Sequence, residues 1–76
     1  MSKADEMFEK LGYKKTYSVM DDDVLMIGYG LNEEPVEESE IIFLKKAKKI
    51  IIGISIGMQE LQAINEKCKE LGWLDE

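Results

Sequence analysis

The sequence predicts an α+β domain: one helix, a four-stranded antiparallel β-meander and a C-terminal helix. Three observations predict it. Amphipathic stripes at the two ends of the chain close on the same stop signal, Leu11-Gly12-Tyr13 and Leu71-Gly72-Trp73. The segment between them is rich in β-branched and aromatic residues and is cut by short polar turns. Its last hairpin, Ile41–Leu44 returning as Ile50–Ile54 around Lys45–Lys49, is apolar in both registers. A half-buried strand alternates apolar and polar residues, so this hairpin needs cover on both faces.

The first helix is expected over Ser2 to Leu11. Ser2 suits the N-cap, and Asp5 stands three residues on, as in a capping box. Ala4, Met7, Phe8 and Leu11 recur at i, i+3, i+4 and i+7 and form one buried stripe. Gly12 ends the helix as a left-handed C′ residue, with Tyr13 folding back on Phe8. Thr16 to Met20 alternates as a first strand, Asp21-Asp22-Asp23 is a turn, and Val24 to Tyr29 is a second strand. Gly30 to Ser39 is an acidic loop that holds the only proline, Pro35. The doubly apolar hairpin supplies strands three and four, and the short connections favour a meander over crossovers. The closing helix carries Leu61, Ile64, Cys68 and Leu71 on one stripe, and Trp73 folds back on Cys68. It starts at Gly57, with Glu60 at N3, or earlier at Ser55. The two stop signals are shared capping physics, since the rest of the two helices shows no repeat.

Composition bounds the function. The 76 residues, 45% of them apolar, make a single domain over 1–76. A chain of this size has one core and space for a surface groove, but hardly for a deep enclosed site. The net charge is −6, all ten basic residues are lysine, and arginine and histidine are absent. Arginine suits bidentate phosphate and base-edge contacts, and an acidic chain repels a phosphate backbone, so no nucleic acid is expected as partner. Without histidine the commonest general base and the commonest metal ligand are missing. No catalytic residue, metal ligand or cofactor is therefore expected, and the protein is expected not to be an enzyme. Cys68, the single cysteine, reads as a small buried hydrophobe. The polar start of the chain is unlike a signal peptide and no run approaches a membrane span. The expectation is a reduced, cytoplasmic protein with no membrane partner.

Each charged cluster has two readings. Asp21-Asp22-Asp23 fits no calcium-loop spacing and reads as a solvated turn. Glu33, Glu34, Glu37, Glu38 and Glu40 are either a solvated loop or a lure for a basic partner, down to a nucleic-acid mimic. Lys45, Lys46, Lys48 and Lys49 lack a glycine-rich nest and guard an oily hairpin from aggregation. The acidic loop of one copy meeting the lysine tip of another would orient an oligomer. Tyr17 and Tyr29 have nothing polar clustered near them and read as packing residues. If both helices pack on one face of the sheet, the other face is oily; helices on opposite faces, or strands curled around a closed core, are the alternatives. The partner-binding residues expected for the exposed-face arrangement are Ile42, Leu44 and Ile51 on the sheet, with Glu33, Glu34, Glu37 and Glu38 steering.

The closing segment Ile56–Leu74 and the opening Ala4–Lys15 resemble the ends of a group of small proteins, mostly uncharacterised, from phages and prophages of low-GC Gram-positive bacteria. The strand–lysine–strand hairpin is similar too. Members commonly carry a polar N-cap where this chain has Gly57. Lysine without arginine, with abundant isoleucine and glutamate, agrees with AT-rich coding. The resemblance brings no catalytic residues and implies action by binding host proteins, defence systems included. The expected function is that of a non-enzymatic phage or prophage accessory protein that modulates a host protein in the bacterial cytoplasm. A self-assembling structural protein, in which the oily face closes a homodimer, and an acidic nucleic-acid mimic are the alternatives.

Overall fold

A computed structural model describes residues 2–74. The predicted order is the observed one: α1 (Lys3–Lys10), β1 (Lys14–Met20), β2 (Asp23–Gly30), β3 (Ile41–Leu44), β4 (Lys49–Ile52) and α2 (Met58–Glu70), with a 3₁₀ turn at Val36–Glu38 between β2 and β3. The strands form one sheet in the order β1-β2-β3-β4, each pair antiparallel.

Both helices end as the stop signals require. Ser2 caps α1, its Oγ accepting from the Asp5 N–H at 3.0 Å. At the other end Gly12 has φ +92°, and the Tyr13 N–H reaches back to the Phe8 carbonyl at 3.0 Å. Gly72 has φ +76°, and the Trp73 N–H donates to the Cys68 carbonyl at 2.9 Å. This is the six-to-one bond of a Schellman cap, which glycine permits because a left-handed residue there meets no Cβ penalty. Gly57 is the N-cap of α2, and the Glu60 carboxylate accepts from its N–H at 3.2 Å.

Turn chemistry sets the hairpins. Asp21 and Asp22 have φ +52° and +65°, the pattern of a type I′ turn, whose twist matches that of the strands it joins. The β1–β2 register slips between Ser18 and Val19, which leaves Leu25 as the extra residue of a bulge. The bulge is tied down from the next hairpin, where the Lys45 N–H donates to the Leu25 carbonyl at 3.1 Å.

One face of the sheet carries Ile27, Tyr29, Ile41 and Phe43, and α1 and α2 cover it with Phe8, Ala63, Ile64 and Cys68, joined by Tyr13. The centre is aromatic. Phe8 stacks on Tyr29 at 3.9 Å between ring centroids, while Phe43 meets both rings edge-on. Trp73 also packs toward this core, its ring 6.1 Å from that of Phe43. The helices run antiparallel, Ala4 meeting Glu70 and Tyr13 meeting Glu60. The stripe of α2 is rotated from the expected one. Ala63, Ile64, Lys67 and Cys68 are buried while Leu61 is 40% exposed. The helix turns Ala63 and Lys67 inward, and Lys67 meets the Asp5 carboxylate of α1 there.

Candidate functional site

The two helices leave the second face of the sheet to something else, and the chain itself supplies part of the cover. Cross-strand pairing places Thr16, Gly28, Ile42 and Ile51 in one row of that face, and Ser18, Met26, Leu44 and Lys49 in the next. Residues 31–40 do not project as a free loop. They cross the first row as a strap whose 3₁₀ turn sits on β2. Val36 and Ser39 are buried at 6% and 8% exposure, and Ser39 Oγ lies 3.3 Å from Thr16 Oγ1. Gly28 makes the fit: a Cβ there would lie 2.5 Å from Ser39 Oγ and 2.9 Å from Val36 Cγ2. A glycine inside a strand often marks such a close approach. Gly28→Ala is accordingly expected to lift the strap and lower stability by about 1–3 kcal/mol. Faster amide exchange confined to residues 31–40 would report it; exchange as slow as in the parent would refute the close fit.

The strap corrects one expectation. Ile42, paired with Gly28 in the row that the strap crosses, is only 5% exposed and is not available to a partner. Ile51, at the margin of the strap, is 49% exposed, and Leu44 and Met26 in the next row are half-buried. The open part of the second face is thus a strip of Met26, Leu44 and Ile51, bordered by Lys49.

The acidic residues divide in the same way. Glu37 and Glu38 are exposed on the strap, and Glu33 reaches Lys14 at 3.4 Å in a solvent-exposed pair of little energetic weight. Glu34 and Glu40 turn inward over Gly30, each with one carboxylate oxygen buried and without a hydrogen-bond partner. Desolvation, then the charge of the facing Glu40 carboxyl and a hydrogen bond with it, then the charge of Glu38, hold the Glu34 carboxyl above the usual range. The meander sends the two charged turns, Asp21–Asp23 and Lys45–Lys48, to one end of the sheet and the strap to the other. The open strip lies between lysines and glutamates.

A second polar feature escaped the sequence reading. Asp5, on α1, accepts from the Tyr29 hydroxyl at 2.6 Å, from Lys15 Nζ at 2.9 Å and from Lys67 Nζ at 3.4 Å. Lys67 is 5% exposed and also lies 3.8 Å from Glu70, whose other oxygen accepts from the Ala4 N–H. Burial opposes ionisation of Asp5, but the Tyr29 hydrogen bond and the two lysines outweigh it and bring its pKa from 3.8 to about 2. Burial, then Asp5, pushes the Tyr29 hydroxyl far above its ordinary value. The network borders an open groove of about 550 Å³ between α1 and β1, lined by Phe8, Tyr13, Lys14 and Lys15 among others. The arrangement ties α1 to α2 and the sheet.

The remaining candidates are structural. Asp21–Asp23 and Lys45–Lys49 are exposed residues in and beside the hairpin turns, Tyr29 is core, and Tyr17 is 62% exposed. Cys68 is buried, and burial pushes its thiol up. Among the described residues no group of three or more Cys, Asp or Glu side chains is placed to hold a metal ion. None of the described helices is long and apolar enough to cross a membrane. Fold and surface together define a small α+β protein with a meander sheet, closed by helices on one face and partly by its own acidic strap on the other. No family model, no curated protein and no solved structure matches the chain.

Proposed function

We propose that this is a non-enzymatic accessory protein of phage or prophage origin that binds a host protein in the bacterial cytoplasm and modulates it. The observation that carries the binding role is the open strip of Met26, Leu44 and Ile51, which the strap stops short of covering. Half-exposed apolar residues gathered on one sheet face are a common mark of a docking surface. Glu37 and Glu38, exposed on the adjoining strap, give that surface a charged rim that speeds encounter with a basic partner and discriminates against acidic ones. The phage origin rests on the resemblance of the two chain ends and the hairpin. The absence of histidine and arginine supports a role in binding rather than chemistry.

Affinity capture from a low-GC Gram-positive lysate tests the reading. Leu44→Lys is expected to abolish capture of the specific host protein while circular dichroism stays native. Glu37→Gln with Glu38→Gln is expected to weaken capture several-fold and reduce its salt sensitivity, as loss of a charged rim does. Capture unchanged in both variants would remove the strip and the strap as the binding surface.

A further inference from the structure

We infer that β4 pairs with β4 of a second copy of this chain, antiparallel about a two-fold axis at Ile51, joining two four-stranded sheets into one. Among the described residues β4 has no neighbour on its outer side. Ile51 on one face and Ile52 on the other are 49% and 42% exposed. No proline or bulge interrupts Lys49–Ile52, and an apolar edge of this kind is a template for another strand.

The ladder dictates the register. The Gly53 N–H donates to the Glu40 carbonyl at 2.8 Å, so Gly53, Ile51 and Lys49 turn their backbone groups toward β3. The N–H and C=O of Ile50 and Ile52 therefore point outward. An antiparallel pair centred on Ile51 sets Ile50 of each copy opposite Ile52 of the other. All these outward groups then meet in about four inter-chain hydrogen bonds, and the two Ile51 side chains touch across the axis. Centring on Ile50 sets Ile52 against Lys48, whose φ of +55° has left the strand. Centring on Ile52 sets Ile50 against Ile54, beyond the end of β4. Only the Ile51 register uses the whole edge.

Charge selects a second copy as the occupant. The lysine turn lies at one end of β4, and at the other Gly53 is bonded to Glu40 at the end of the acidic strap. A two-fold antiparallel pair brings the Lys45–Lys48 turn and Lys49 of each copy to the strap end of the other sheet, where Glu40 stands opposite Gly53. Lys49 itself falls opposite Gly53 of the second copy, where no side chain blocks it. The complementarity occurs twice by symmetry, and the like-charged turns stay apart. The strip of Met26, Leu44 and Ile51 becomes continuous across the two copies.

The purified chain alone tests this, so the outcome is independent of any host partner. Sedimentation equilibrium over a concentration series is expected to show the mass rising toward twice the monomer value, with the association weakened by salt. Ile52→Pro deletes an outward donor while sparing the bonds to β3, and is expected to stay monomeric with native circular dichroism. Ile51→Cys, a milder change, is expected to form an inter-chain disulfide on oxidation, because residues facing each other in a non-hydrogen-bonded pair lie within bridging distance. Ile52→Cys is expected not to do so. A monomeric mass throughout the series, a dimer undiminished by Ile52→Pro, or cross-linking no faster at position 51 than at 52 would each overturn the pairing.

Discussion

Phe8→Ala is expected to leave a large share of the protein unfolded at room temperature. Phe8 is 1% exposed and stacks on Tyr29 at 3.9 Å, with Tyr13 and Phe43 edge-on to it. Emptying such a site costs about 3–5 kcal/mol, part transfer and part cavity. A domain of 76 residues has roughly 4–11 kcal/mol in all, so the loss takes up much of the margin. The stack joins α1 to β2, and α2 packs on the same cluster, so one ring holds both layers. Urea denaturation is the measurement. A midpoint shifted far down is expected for Phe8→Ala and a smaller shift for Phe8→Leu, which keeps part of the volume. A parent-like midpoint for Phe8→Ala would mean that the ring stack contributes little.

Asp5→Ala is expected to cost about 3 kcal/mol, because it strands the Lys67 ammonium and the Tyr29 hydroxyl without their main acceptor. Glu70 remains 3.8 Å from Lys67 and softens the loss. The same network makes stability acid-sensitive. Asp5 has a pKa of about 2 when folded against 3.8 unfolded. As pH falls through this window the unfolded chain takes up the proton first, so the folded state loses the stabilisation it holds at higher pH. That contribution is fully present above pH 3.8 and is lost as pH falls through about 2. The stability gap between the parent and Asp5→Asn, measured by urea midpoints across this range, is expected to narrow as pH drops. A gap that stays constant would assign the effect of Asp5 to packing instead of charge.

The helices and their ends were legible because their signals are local. Ser2 with Asp5, and glycine before an aromatic ring at positions 12 and 72, encode caps within a few residues of chain. The strands were legible from β-branched runs, and Asp21-Asp22-Asp23 from turn chemistry. The strap was not, because burial of Val36 depends on a gap at Gly28, eight residues earlier and on another element. In retrospect two cues stand out: a glycine inside an apolar strand and a valine inside an acidic run. Reading that run as a charged loop left Ile42 on the surface, when it is buried in the row that the strap crosses. Lys67 was equally opaque. A lysine beside a buried cysteine on a helix normally points to water, and only its distance to Asp5, 62 positions away, explains its burial. The strip of Leu44 and Ile51 was legible as a doubly apolar hairpin, although which half stays open depended on where the strap ends.

The contact between the two helices also sets the span of chain that folding has to close. Ala4 bonds to Glu70 and Asp5 to Lys67, so α1 completes its contacts only with the element that is synthesised last among those described. Without α2, the meander has Phe8 and Tyr29 in place but lacks Ala63, Ile64 and Cys68 to close over them. Closing a loop of this span is entropically late, and the exposed sheet waits in the company of other chains. The strap, joined to the strands beside it in sequence, is free to settle first. The contacts of the strap are local in sequence, whereas the interior on the opposite face closes only when the two helices meet, so the core is the costlier of the two faces to seal.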